Sequence, residues 1–513
     1  MKKLVALLLI LVLALSTVAL VACGNDVPDT PDDPDQPTTP SDTPETPDEP
    51  DEPARIELIL PERYYGKSNG DKEPFHVLEW SAGGNTMPGD NWIVWAEVDV
   101  TDEAGDLMSN SVFARNAYVE EKYGVEITSE YVGDGPVPFI NRMLLDNQTS
   151  SNLYQLSTMR SLNVWTMIES GLYLDMNEYA GEILHTDQPW WPQDSVASFT
   201  LGNSLYVSAT EMLLRDKAAT AAVYFNTKLA HDHGLDHFYS LVEDGYWTME
   251  DMISACDIVA TDQDGDDLIN TSKDIWGIVN GDDPIFYLYA SAGQKFAHID
   301  EDGYLVNDFG SADSINITQD IFEKVMYADW YANTYVKTNW DWPEGGAFPN
   351  DQALFYFHMV KNSYLNLREM ETEYGILPAP KYSTDQENYS SLVWTHHDCV
   401  VGIPSATFDP EMSAIILEAL SYEGYYTVTP VLYETLLFNR MAKSAEARRS
   451  LEIIFDTRVY DPGQYWIDTD SFTGKLLRHT ATGTSGIASL WDSYDEATYA
   501  HIEKVNDFIK ETK

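Results

Sequence analysis

The chain opens on an uninterrupted apolar run, Leu4 to Leu15, behind Lys2 and Lys3, and stays largely apolar as far as Cys23. The pattern then inverts. Residues 24–54 hold nine prolines and eleven acidic side chains, and the first base after them is Arg55. Proline forbids helix and ladder pairing and like charges repel, so this tract is expected to be extended and solvated, a tether rather than a folded unit. Past it the periodicities of a globular chain begin. "FHVLEW" (75–80) reads as a buried strand, and a helix is predicted over 108–123, closed by Gly124 at the left-handed cap position. "VEITSEYV" (125–132) alternates as a strand, and "LYQLSTMR" (153–160), "AAVYFN" and "WGIVN" (276–280) are further short strands. A helix is expected over 246–260 with Thr248 as its N-cap and Glu250 and Asp251 in its first turn. Helices are also predicted over 284–292 and 315–333, extended segments over 351–358 and 374–382, and a strand over 398–404. Three more helices follow, near 409–424, 444–456 and 492–510. Strands alternating with helices indicate an α/β chain with largely parallel sheets.

The first residues have the charged and apolar regions of a secretory signal. Leu4 to Cys23 is close to the roughly 20 residues of a membrane span, so length alone leaves an anchor open. "Leu20-Val21-Ala22-Cys23" followed by Gly24 resembles the lipobox of bacterial lipoproteins. The resemblance implies cleavage before Cys23, a lipid (diacylglycerol, with palmitate) on its sulfur, and a place on the outer face of the bacterial cell membrane. Composition narrows the rest. A formal charge of −54 argues against nucleic acid or an anionic surface as partner. Besides Cys23 only Cys256 and Cys399 remain, so no disulfide framework exists, and spacing does not say whether those two meet. Fourteen Trp and 31 Tyr suit both an ordinary core and a cleft that stacks on sugar rings or peptide faces.

The order of motifs resembles the extracellular solute-binding proteins of ABC importers, the type II group that handles sugars and oligosaccharides. The matching stretches are "RNAYVEEKYGVEIT", "LYQLSTMRSLNVWTMIESGLYLDMNEY", "AVYFNTKLAHDHGL…GYWTMEDMISAC" and "YGILPAPKY", in order across residues 75–510. This implies a two-lobed, periplasmic-binding-protein-like α/β fold with interlobe hinge strands and a helical C-terminal part. The expected layout is a signal peptide over 1–22, a lipidated Cys23 with its tether over 23–55, and a binding domain over 56–513. Lobe one would take about 70–210 and 395–513, and lobe two about 215–380, with crossings near 203–215 and 374–400. The implied partners are a small solute, most readily an oligosaccharide, and the transmembrane subunits of a permease, with the protein itself a monomer.

Cleft residues belong where strand ends meet loops. On that rule the candidates in the first lobe are Trp80, Arg160, Trp165, Trp190 and Trp191. Lobe two offers Asp283, Gln294 and Trp342, and the return crossing offers Trp394 and His396. The acidic loop "DQDGDDLIN" (262–270) places Asp262, Asp264 and Asp266 at positions one, three and five of an EF-hand loop, with the Leu268 carbonyl next. Position six is Asp267 instead of Gly, and position twelve is Lys273 with Asp274 beside it. The competing readings are a structural calcium site and a solvated acidic turn. No zinc motif, P-loop or GxSxG elbow occurs, and the adjacent histidines of "THHDC" (395–399) would face opposite sides of a strand. A binding protein without catalytic residues is therefore expected. A surface glycan- or peptide-binding lipoprotein without a permease, or a glycan-active enzyme using a carboxylate pair, are the alternatives.

Overall fold

The computed structural model describes residues 55–80, 97–98, 100, 105–133, 136–149, 153–334, 346–438, 444–467, 472–482 and 486–512. The leader, Cys23, the Pro-rich tract and Trp342 lie outside the described residues. The chain separates at Ile56 into two units, and every element below belongs to the second, Glu57–Lys513.

The first sheet is built on β1 (Glu73–Trp80), whose apolar residues Phe75, Val77 and Leu78 are fully buried. Helix α1 (Leu107–Tyr123) follows, with the Asp106 carboxylate accepting from the Ser109 N–H at its start. It stops at Gly124, whose φ of 71° is left-handed and whose N–H bonds the Glu120 carbonyl. A Cβ there would come within 2.4 Å of the Gly66 nitrogen, so both conformation and space require glycine. β2 (Val125–Val132) and β3 (Leu156–Met159) run parallel to β1 on either side.

The second sheet begins with β4 (Ala221–Asn226), every residue of which is buried. Helix α2 (Met249–Val259) carries a capping box, Thr248 and Asp251 bonding each other's backbone N–H. β5 (Trp276–Asn280) leads into α3 (Pro284–Ser291), which starts where proline suits the first turn. β6 (Tyr331–Asn333), β7 (Ala353–Met359) and β8 (Tyr374–Leu377) complete the sheet in the order β6-β5-β7-β4-β8. β5, β6 and β7 are parallel, whereas β4 is antiparallel to both β7 and β8. The helix expected over 315–333 is shorter: it spans Ala312–Ile321, passes through a π-helical turn to Met326, and yields to strand β6.

β9 (Val400–Gly402) returns to the first sheet antiparallel to β3, giving the order β9-β3-β1-β2. The resulting architecture is mixed α/β with two main sheets, one in each lobe, and three two-stranded ones among the described residues. Helix α4 (Pro410–Glu423) then packs on α1. A later helix, Ala445–Asp456, reaches the second sheet: Leu451 and Ile454 share an apolar cluster with Tyr224, Trp276 and Tyr374, and the Ser450 hydroxyl donates to the Ile376 carbonyl. The C-terminal helix α5 spans Asp495–Thr512.

Between the sheets, the chain around Ser208–Thr220 lies antiparallel beside residues 393–401. Ser208 and Val401 exchange both backbone hydrogen bonds, at 3.0 and 2.9 Å, and the Trp394 N–H donates to the Ala219 carbonyl. A third segment joins them, Arg458–Val459 pairing with Ser391–Leu392. Buried ion pairs fix the register here: Arg458 Nη1 lies 2.9 Å from Asp216 Oδ2, and Lys217 Nζ lies 3.0 Å from Glu211 Oε2. Removing one member of such a pair strands the other charge, so these segments tolerate little slippage.

Candidate functional site

Five of the expected residues stand at or beside the joins between elements. Trp80 ends β1, Arg160 follows β3, Asp283 precedes α3, and Trp394 and His396 lie on the segment before β9. Trp80 is buried beside two guanidinium groups, Arg160 at 5.3 Å from its ring and Arg215 at 5.6 Å, the latter also donating to the Trp80 carbonyl. A cation over an indole face gains from the ring's quadrupole, more so out of water. Trp394 stacks on His396, centroids 4.5 Å apart and planes 17° from parallel, while Phe286 and Tyr287 of α3 close its other sides at 4.9 and 5.8 Å. Burial pushes the His396 imidazole down to about 4, and the Arg160 charge adds to the effect. Trp80, Arg160, His396 and Trp394 thus form one cluster where the lobes meet.

The next imidazole, His397, accepts at Nδ1 from Lys361 Nζ across 2.7 Å. Asp398 points inward, where the Ser161 hydroxyl donates to its Oδ1. Burial pushes this carboxyl up to about 8; Asp216 adds to the shift and Arg160 opposes it.

A cavity of about 280 Å³ opens in the second lobe at the C-terminal end of β5. Phe348 and Tyr356 stack along one wall with centroids 5.6 Å apart, and His358 continues the row 5.2 Å from Tyr356. His358 Nδ1 accepts the Met359 N–H, which leaves the neutral ring's proton on Nε2. Burial holds this imidazole down at about 3, helped by the charge of Lys361. Asn280 and Asp283 supply polar lining, and the Asn280 side-chain oxygen is buried with no hydrogen-bond partner among the described residues. The Asp283 carboxyl makes no capping bond to α3, and burial, then Asp282, push it up to about 6. Two stacked rings facing amide, carboxyl and imidazole groups form a surface that covers an apolar ring face while bonding hydroxyls at its edge.

Other expected residues are elsewhere. Trp190 and Trp191 are core residues: both indoles are fully buried and donate to opposite oxygens of Glu418 on α4, at 2.7 and 2.9 Å. Their loop carries Asp and Pro, which suggested exposure, but a buried acceptor from a distant helix draws the pair inward. Trp165 packs edge-on against Trp466, His501 and Phe508, with Lys504 Nζ 5.6 Å from its ring. Gln294 follows α3 and is not among the cavity's lining residues. Phe348, Tyr356, His358, Lys361 and Asn280 were missed. The one signal for His358 was a histidine near the end of an otherwise apolar strand, "ALFYFHM".

In the acidic loop the carboxylates of Asp262, Asp264 and Asp274 converge, each offering an oxygen within 4.8 Å of the others. Asp267, at position six, takes the left-handed conformation with φ of 66°, the turn usually left to glycine. Asp274 is buried, and although burial opposes ionisation, hydrogen bonds from Gln263, Thr271 and Asn270 hold its carboxyl below the usual range. Asp266 is turned instead to the Leu268 N–H and the Asn270 amide. Three hard carboxylate donors around one point fit calcium or magnesium better than a soft metal.

No protein-family model and no curated relative matches the chain. Solved structures do. The galacto-N-biose/lacto-N-biose I-binding protein of an ABC transporter from Bifidobacterium longum, solved with lacto-N-biose, superposes with a TM-score of 0.53 at 11% identity, covering 85% of this chain and 97% of that one. An ABC substrate-binding protein from Listeria monocytogenes in complex with cycloalternan gives 0.51 at 10%, over 86% and 99%. The cyclic α-maltosyl-1,6-maltose-binding protein of Arthrobacter globiformis gives 0.51 at 12%, over 84% and 100%. The fold is theirs. At these identities it is the two-lobed fold alone that is shared. Among the described residues no helix is long and apolar enough to cross a membrane.

Proposed function

We propose that this protein is the solute-binding component of an ABC import system and captures a carbohydrate, most readily an oligosaccharide, between its lobes. The observation that carries the reading is the cavity at the end of β5, where the stacked Phe348 and Tyr356 rings face Asn280, Asp283 and His358. It is supported by the fold, which in the superposed proteins accompanies bound saccharides. Sugar rings would lie on the aromatic faces, with hydroxyls donating to Asn280 and accepting from His358 Nε2–H. The strands between the lobes would act as the hinge, and the closed form would be presented to the permease. No step changes a covalent bond of the solute. Lipidation of Cys23 would tether the domain through residues 24–54 to the outer face of the cell membrane.

A thermal-shift screen of residues 56–513 against glycans and peptides tests the reading, because a ligand that binds only the folded state raises the melting temperature. Saccharides should shift it; a shift with peptides and with no saccharide would overturn the assignment. For the anchor, Cys23→Ser should release the exported protein from the cell surface, and full retention would count against lipidation. The Asp262, Asp264 and Asp274 group would hold a structural calcium. A melting temperature unmoved by both chelator and added calcium would refute that part.

A further inference from the structure

The polar groups lining the cavity at the end of β5 are unequal in kind. Asp283 brings two carboxylate oxygens, which accept and do not donate, and neither caps α3. The one charge that acts on it is another carboxylate, Asp282, so no cation offsets it. Three residues earlier the Asn280 side-chain oxygen is buried and unpaired among the described residues. Thr334 already donates its hydroxyl to the Asn280 carbonyl, at 3.2 Å, and is left as an acceptor. The side-chain donors opposite them are the His358 Nε2–H and the amides of Asn280 and Asn366. His358 is held neutral by burial and by Lys361, and Lys361 itself donates to His397. At pH 7 the Asp283 carboxyl, raised to about 6, is largely ionised. The lining therefore carries negative charge and no positive charge among the described residues. Phe348 and Tyr356 add aromatic faces, whose quadrupole attracts cations.

We infer that the solute is an amino saccharide with a free, protonated amine, and that Asp283 and the Asn280 amide receive the amine while the sugar ring lies on the Phe348–Tyr356 wall. This rests on the carbohydrate reading above and narrows it. A ligand that covers Asp283 strips away the water that solvates its carboxylate. A neutral hydroxyl returns one hydrogen bond and leaves the charge uncompensated. An ammonium group returns three donors and the opposite charge, and charge-assisted hydrogen bonds are roughly twice as strong as neutral ones. The wider field points the same way: acidic residues outnumber basic ones by 84 to 30, which draws cations toward the protein and repels anions. His358 Nε2–H is then free to donate to a hydroxyl of the same ring.

The test uses saccharides that share a ring and differ at one substituent, titrated calorimetrically at pH 7 into residues 56–513. The sets are glucosamine, N-acetylglucosamine and glucose; galactosamine, N-acetylgalactosamine and galactose; and the trimers of chitosan, chitin and cellulose. The amine member of at least one set should bind at least about tenfold more tightly than its acetamide and hydroxyl partners, an advantage that shrinks with added salt. Asp283→Asn should remove the advantage, and Asp283→Glu, which keeps the charge, should retain it. The unliganded melting temperature of Asp283→Asn should stay level or rise, because the change removes a carboxyl that burial disfavours, and this separates lost recognition from misfolding. The matched sets and the salt dependence are read on the unaltered protein and need no variant. If hydroxyl or acetamide members bind as tightly as amines, or are the only ones to bind, the amine inference falls and the carbohydrate reading stands. An amine advantage that survives Asp283→Asn overturns the assignment to this carboxyl. If putrescine or a basic peptide binds and no saccharide does, the carbohydrate reading falls instead.

Discussion

Asp398 is fully buried, accepts the Ser161 hydroxyl at Oδ1, and has no partner at Oδ2 among the described residues. Burial raises its carboxyl from the usual 3.8 to about 8. The folded state therefore holds the proton more tightly than the unfolded chain does. Its contribution to stability is complete below pH 3.8 and is lost as pH rises through about 8. About four pH units at about 1.4 kcal/mol each set a ceiling near 6 kcal/mol. Asp398→Asn keeps the acceptor for Ser161 and removes the titration, so the variant should gain on the wild type as pH rises. Between pH 7 and 9 the gain is at most about 1.4 kcal/mol, which for a domain of this size is about 1–1.5 °C in melting temperature. Asp283 and Asp461, both raised to about 6, have largely titrated below that window. Scanning calorimetry of both proteins at constant ionic strength from pH 5 to 9 is the assay. Parallel curves across pH 7–9 would mean that Asp398 is already ionised in the fold, and the argument from burial would fail.

Glu418→Ala strips the acceptor from two buried indole N–H groups and should cost about 3–5 kcal/mol, read from the midpoint of urea unfolding; a loss under 1 kcal/mol would show that the indoles find other partners. Tyr356→Ala removes the centre of the aromatic wall and should weaken saccharide binding about tenfold or more, measured calorimetrically, and unchanged affinity would place the sugar elsewhere. Thr248→Ala breaks the capping box of α2 and should cost about 1 kcal/mol in the same urea experiment, while leaving saccharide affinity unaltered.

Legibility in the sequence followed the range of the interaction that decided each feature. α1 could be bounded because its cap and its stop, Asp106 and Gly124, are local, and α2 because Thr248 and Asp251 lie three residues apart. The strands were readable as apolar runs, but their direction was not: β4 and β9 run antiparallel to neighbours because they leave or enter a lobe, which no local pattern states. Trp80, Arg160, Asp283, Trp394 and His396 were singled out by one rule, that function gathers at strand ends, and the structure places all five at or beside such joins. Trp190 and Trp191 misled because their acceptor, Glu418, lies more than two hundred residues away on an otherwise apolar helix, "AIILEAL". The Phe348–Tyr356–His358 row was missed for the same reason, since it exists only once residues before and along β7 fold onto one face of the sheet.

Cys256 and Cys399 are both free and fully buried, and burial pushes both thiols well above their ordinary range. Cys256 is on α2 against Gly277 of β5, and Cys399 directly precedes β9 beside Glu97. Each sheet layer thus contains one dormant nucleophile that reacts only when its surroundings open. Alkylation kinetics, followed by peptide mapping of the two sites, would clock the opening of each lobe separately, and adding solute would reveal which of them it locks.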